Sequence, residues 1–348
     1  MEFELLKQIS ETPGASGFES KIRKLVIKAI TPYVDSVSTD NIGNIIALKK
    51  GKENKKVMAA AHMDEIGFIV SHIDDEGFVK FQPLGGFDPK TLTSQRVIIH
   101  GKKDLVGVMG SKPVHMMTEE EKGKKVELDH YFIDLGMKKE EIEKYIEIGN
   151  PITRERSCIE MGDCVNGKSL DNRISVYILI EALKQLKDTE IPYDFYAVFT
   201  TQEEVGLRGA QVATQNIEPD FGFAIDTTIA FDVPGSRPHE KVTKLGEGVA
   251  IKLMDATAIS DARMTAFMKK MATDNKIKWQ PELMAKGGTD TGHIQRMVKN
   301  GSIAGGISIP TRHIHQVIET VNKEDVEAAV KLLQACVNGI AGYNWAYE

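Results

Sequence analysis

Two short stretches concentrate side chains able to do chemistry. In AHMDEIGF, His62 and Asp64 stand at the end of an apolar run; in TTQEEVGLRGA, two adjacent carboxylates, Glu203 and Glu204, follow another. Further candidates lie downstream: Asp171 in GKSLDNRIS, Asp226 at the end of FGFAID, and His313 and His315 in PTRHIHQ. Imidazole and carboxylate donors suit zinc, cobalt or manganese, and two such ions ~3.5–4 Å apart can act on one water. A site of that kind takes about five ligands, one carboxylate being shared.

Each residue also has a plainer reading. Residues i and i+2 of an extended chain face the same side, so Asp64 is placed to reach the His62 imidazole and fix its tautomer. A structural histidine beside a turn fits the same letters. Asp171-Asn172 ahead of a long helical pattern reads equally as an N-cap, and Asp226 as the opening of a turn. Glu203-Glu204 is either a solvated loop or a ligand beside a general base, because adjacent like charges raise one pKa unless a cation neutralises them. His313 and His315 share parity, and only one is needed. His72, His100, His115, His130, His239 and His293 lack comparable partners and read as surface or core residues. What favours a shared site is recurrence: the candidates fall at the ends of several strand-like runs, and α/β sheets gather their active sites at the carboxyl ends of strands.

The elements that would position them are legible in outline. Residues 3–30 read as helix broken at TPGASG; VSTDNIGNIIALKK and KKVMAAAH read as strands, the second apolar enough to be buried on both faces. From Gly67 to about Cys158 short β-like runs (FIVSHI, GFVKFQPL, RVIIHG, LVGVMG) alternate with turn residues, and only KKEEIEKYIEI reads as helix. Helix and strand then alternate again: NRISVYILIEALKQL, DFYAVFTTQ, RGAQVATQ, FGFAIDTT, MTAFMKKMATDN, GSIAGGISIP and KEDVEAAVKLLQACVNGIAGY. The expectation is a three-layer α/β/α catalytic domain formed by residues 1–66 and 161–348, with a small β-barrel-like domain inserted at 67–160.

Bulk properties agree. A chain of 348 residues exceeds the ~250–300 at which single cores stop growing. The composition, 41% hydrophobic and 27% charged with net charge −6, excludes a nucleic-acid surface. MEFELLKQIS lacks the layout of a secretory signal, and no run nears the ~18 apolar residues of a membrane span. Cys158, Cys164 and Cys336 form no C-x-x-C pair, so any metal must sit on His and carboxylate, and a reducing cytoplasm is the expected location.

Read as a whole, the chain resembles the M42 metallo-aminopeptidases, the glutamyl-aminopeptidase and TET-type enzymes. The likeness runs nearly end to end through TPGASGFE, DNIGNIIA, AHMDEIGF, GSKPVH, SLDNR, TTQEEVGLRGA, AKGGTDTG and IPTRHIH. It implies His62 as a terminal metal ligand, Asp171 as the bridging carboxylate, Glu204, Asp226 and His315 as further ligands, Glu203 as general acid/base and Asp64 as the support of His62. It also implies two zinc or cobalt ions per subunit, peptide substrates, and a homo-oligomer in which barrel-mediated dimers build a tetrahedral dodecamer. Three places depart from the family pattern: His313 where an aromatic is usual, Gln316-Val317 in place of Ser-Pro, and His293 with Gln295 after the GGTD motif. Competing readings are a related metal-dependent deacylase or carboxypeptidase, a glycosidase (some family members carry a cellulase label), and a non-catalytic metal-binding scaffold. A preference for acidic N-terminal residues would need a cationic pocket, for which Arg208, Lys286 and Arg312 are the candidates.

Overall fold

The computed structural model describes residues 1–347. Its organising strand is Glu53–His62, in which Val57 to His62 are all buried. A run without polar alternation must be covered on both faces. Successive strand residues point to opposite sides, and accordingly Val57, Ala59 and Ala61 join one apolar cluster with Ile174, Ile178 and Leu333, while Met58 and Ala60 join another with Ala213, Ile217 and Ile294. Those clusters are two helical layers. Helices Phe3–Glu11, Ser20–Ile30, Leu170–Leu186, Ala262–Asp274 and Lys323–Gly339 form one, and Arg208–Ile217 with Thr291–Arg296 form the other. The sheet between them has eleven strands. Its centre is parallel, in the order Tyr193–Thr200, Glu53–His62, Phe221–Ile229 and Ile303–Arg312. Parallel strands bring like ends together: Thr200 lies opposite His62, and Asp226 opposite Ser308. The expected α/β/α architecture is present.

Between Gly67 and Arg154 six strands close into a barrel, in the order Gly67–Ile73, Phe78–Leu84, Phe132–Asp134, Asp104–Gly110, Arg96–His100 and Pro151–Arg154. Strict alternation fills it: Leu105, Gly107 and Met109 are buried while Asp104, Val106 and Val108 are exposed. Phe68, Val70, Val97, Ile99, Ile133 and Ile152 complete the barrel's own core.

Local expectations fail in two places. KKEEIEKYIEI is helical only over Lys139–Ile142, because a single turn already drops Ile142 and Ile146 into the barrel core, and Gly149, at φ 96°, then redirects the chain. VSTDNIGNIIALKK is two antiparallel strands, Ser36–Thr39 and Ile45–Lys49. Asp40 causes the reversal by accepting the N–H groups of Ile42, Gly43 and Asn44.

A buried charge network lies beside the carboxyl edge of the sheet. Glu65, fully buried, accepts from Lys168 Nζ (2.8 and 2.7 Å), from the Ser169 hydroxyl and from the Gly14 N–H (3.1 Å). Arg173 and Arg154 approach it to 3.6 and 3.8 Å. Arg173 also donates to the Ile9 and Thr12 carbonyls (2.6 and 2.8 Å), fixing the end of the first helix. Burial works to raise the Glu65 pKa, but Lys168, Arg173 and Arg154 outweigh it and hold the carboxyl at about 2; burial in turn brings Lys168 down to about 8. Since the folded-state pKa lies below the ordinary 4.5, ionised Glu65 contributes stability that is present above that pH and is lost as pH falls toward about 2. Glu65→Gln is expected to destabilise the protein by about 3–5 kcal/mol near neutral pH. In denaturant melts at several pH values that difference should shrink below pH 4.5; a difference independent of pH would assign the effect to packing rather than charge.

Candidate metal centre

The side chains picked out from the sequence converge at this carboxyl edge. His62 is the last residue of its strand. Glu203 and Glu204 lie just past the strand that ends at Thr200, in a tight turn where the Gly206 and Leu207 N–H groups both bond the Glu203 carbonyl (2.9 and 2.8 Å). Asp226 projects from within the strand read as FGFAIDTT, which continues to Ile229 still paired with the neighbour that ends at Arg312, and does not open a turn. Asp171 falls in the first turn of its helix with non-helical φ and ψ of −79° and 106°. Its carboxylate therefore turns to the histidines instead of capping, and its own N–H donates to Glu319 Oε2 (2.8 Å). His315 follows the strand Ile303–Arg312 in a turn where it and His313 have φ of 56° and 63°. His313 is not among the groups that meet here.

Two donor sets share one carboxylate. His62 Nε2 lies 3.3 Å from Asp171 Oδ1, 3.6 Å from Asp226 Oδ1 and 3.8 Å from Glu203 Oε2. His315 Nε2 lies 3.3 Å from Asp171 Oδ2 and 3.5 Å from Glu204 Oε2. Asp171 thus offers one oxygen to each histidine. Two groupings are compact enough to hold an ion, His62 with Glu203 and Asp226, and His62 with Asp171 and Glu204. Distance alone does not separate a ligand from a neighbouring base at Glu203.

The donor set fits divalent metal. The carboxylates of Asp171, Glu203, Glu204 and Asp226 are at most 9% exposed, and Glu204 Oε1 has no hydrogen-bond partner in the protein. Buried charges cost several kcal/mol each unless opposed. The protein's own groups leave the imbalance visible. Burial, with Asp171 adding to it, pushes Glu204 up to about 8; burial also drives Glu203 well above the carboxylate range despite His62. Burial opposes protonation of His62, but Glu203, Asp171 and Asp226 override it and raise the ring's pKa strongly; His315 is likewise pushed up to about 10, chiefly by Asp171 and Glu204.

Asp64 does more than its position beside His62 suggested. Oδ1 stands 3.4 Å from His62 Nδ1, near enough to orient the ring by charge without an aligned hydrogen bond. The same carboxylate accepts the Ser16 hydroxyl (2.6 Å) and the N–H groups of Glu203 (3.0 Å) and Glu204 (3.2 Å). Sequence reading missed two further buried carboxylates. Asp290, in the GGTD motif, accepts from Thr200 Oγ1 (2.6 Å), and burial pushes it up to about 7. Glu319 had no signal beyond lying four residues after His315.

A cavity of about 770 Å³ opens onto the centre. Leu207, Ile229, Met284 and Ile314 form its apolar walls, and Lys286, His293 and Arg296 its polar ones. Of the three cations considered for a specificity pocket, only Lys286 lines this cavity. Arg312 is engaged by Asp232 (2.6 and 2.7 Å), and Arg208 reaches Gln202.

A three-layer sheet that gathers histidines and carboxylates at strand ends, below an open cleft, is the frame of a hydrolase. Residues 43–332 match the M42 glutamyl aminopeptidase family, and the chain belongs to that family of aminopeptidases. It is 35% identical to a lysyl aminopeptidase of Pyrococcus furiosus, covering 96% of both chains. It is 32% identical to a glutamyl aminopeptidase of Lactococcus lactis, covering 97% of this chain and 96% of the relative. Among solved structures it superposes on aminopeptidase APDkam598 of Desulfurococcus kamchatkensis with a TM-score of 0.92 at 37% identity, covering 97% and 94% of the two chains. It also superposes on the TET1 peptidase of Pyrococcus horikoshii, which can assemble into a tetrahedron or a large octahedral shell (TM-score 0.86, 32% identity, 96% and 98% covered).

An ion held by these donors would compete with protons for them. Were His315 a ligand, its ring, pushed up to about 10 chiefly by Asp171 and Glu204 against burial, would have to release a proton first. Apparent affinity for zinc is therefore expected to strengthen by up to about tenfold per pH unit for each proton displaced. Calorimetry in buffers of different ionisation enthalpy should record at least one proton released; zero release would exclude His315 as a ligand.

Proposed function

We propose that the protein is a dinuclear-metal-dependent aminopeptidase that removes N-terminal residues from unblocked peptides. The observation that carries this reading is the Asp171 carboxylate, with one oxygen 3.3 Å from His62 and the other 3.3 Å from His315. His62, Asp171 and Asp226 would hold one ion, and Asp171, Glu204 and His315 the other; zinc and cobalt both suit these donors. Ions bound there supply Lewis acidity, which makes water nucleophilic near neutral pH and polarises the scissile carbonyl. Glu203 takes the proton of the attacking water and delivers it to the leaving amine. Its pKa, raised chiefly by burial, favours the proton-holding half of that cycle. Asp64 keeps Glu203 and Glu204 in register with His62 through their N–H groups. Relatives named for lysyl and for glutamyl substrates leave the preferred residue to be measured.

The protein is further proposed to work in the cytoplasm as a homo-oligomer whose barrels pair into dimers and whose dimers build a tetrahedral dodecamer. Val106 and Val108, apolar yet 57% and 43% exposed on the barrel wall, support a covered surface there. No helix among the described residues is long and apolar enough to cross a membrane.

Glu203→Ala is expected to cut kcat by at least ~10²-fold with metal content near normal; loss of metal would instead make Glu203 a ligand. Asp171→Ala should lose both ions together, and retention of one full equivalent would argue against bridging. On chromogenic aminoacyl substrates, cleavage should be confined to the unblocked set, abolished by chelator and restored by zinc or cobalt. Cleavage of only the N-acetylated set would mark a deacylase.

A further inference from the structure

Arg154 is the last residue of the barrel strand Pro151–Arg154, yet its side chain is 2% exposed and lies among the loops of the metal centre. Nη1 donates to the Gln316 carbonyl (2.5 Å) and Nη2 to the Ser169 hydroxyl (3.2 Å). Glu65 and Glu319 flank the guanidinium at 3.8 and 3.9 Å. The first contact carries the argument. Gln316 follows His315 in a turn where two non-glycine residues have φ near +60°, and such backbone persists only where its surroundings over-determine it. Among the described residues, Arg154 makes the one side-chain hydrogen bond to the backbone of residues 313–317. A barrel loop passes beside the same histidine: a Cβ on Gly86 would be in van der Waals contact with His315 Nδ1, at 3.4 Å. Asp171 has a separate anchor, its N–H donating to Glu319 Oε2 (2.8 Å).

We propose that Arg154 is a positioning residue through which the inserted barrel sets the His315 side of the metal centre. A guanidinium fork reaches two acceptors in different directions, as a lysine ammonium cannot. The inference rests on His315 being a ligand, as read above.

The test is Arg154→Lys, which keeps a buried positive charge between Glu65 and Glu319. Metal-free protein is titrated with zinc against a chromogenic chelator. Wild type should take up two ions. The variant should bind one of them about 10-fold or more weakly, the other within about twofold, matching what residues behind metal ligands contribute elsewhere. Lys21→Met removes a different link between the helical layer and the barrel, the exposed pair with Asp104 at 3.2 Å, and should leave both affinities unchanged. Unchanged affinities in Arg154→Lys, or an equal drop at both sites, would overturn the proposal. A wild type binding fewer than two ions would instead sink the dinuclear reading. If Arg154→Lys does not fold, hydrogen exchange on wild type decides, because coupling is reciprocal. Chelation should speed exchange over 313–317 together with 151–154 but not over the barrel hairpin 96–110; acceleration of 313–317 alone would refute the link.

Discussion

Carboxylates of Asp171, Glu203, Glu204 and Asp226 repel one another, and burial strengthens that repulsion because little water remains to screen it. The surrounding fold is what holds them together. Asp64 pins the Glu203-Glu204 turn by two N–H groups rather than by cations, so it brings the pair to the centre without neutralising it. Positive charge is placed one layer back. Lys252, 1% exposed and bonded to Glu282, lies behind Asp226, and Lys168, Arg173 and Arg154 gather around Glu65. The centre keeps an excess of negative charge, while the cations that would cancel it are already committed elsewhere.

Much of this was legible in the sequence for one physical reason. Buried parallel strands read as continuous apolar runs, so KKVMAAAH announced both the two-sided burial of Glu53–His62 and the position of His62 at its end. The seven site residues could be chosen because they terminate such runs or sit in motifs of the resembling family. What was hidden depends on distance in three dimensions. FGFAIDTT reads as a strand running past Asp226, but nothing local tells that pairing with its neighbour carries it on to Ile229. The helix predicted after Lys138 was cut short by a barrel core that sequence periodicity does not see. Glu319 and Arg154 left no trace, since each acquires its part from a partner far away in the chain: Asp171, 148 residues from Glu319, and Gln316, 162 residues from Arg154.

The barrel and the eleven-stranded sheet with its helices have separate apolar cores. Polar contacts cross between them nonetheless. Arg154 reaches in among the loops beside the centre, and Gly85 and Gly86 pass close enough to Glu204 and His315 that a Cβ on either would be in van der Waals contact with them, at 3.4 Å. The barrel thus touches the loops that carry the site residues without lining the cavity itself.

The order in which the chain supplies its parts has a consequence for synthesis. His62 precedes the whole barrel, Asp171 and the Glu203-Glu204 pair follow it, and His315 comes last. Three of the four central strands must find parallel partners across long intervening segments, the slow kind of pairing. A nascent chain can close its barrel early, because those strands are contiguous, whereas the cluster of donors stays incomplete until residue 315 has left the ribosome. The proposed centre is therefore among the last parts of the chain to come together.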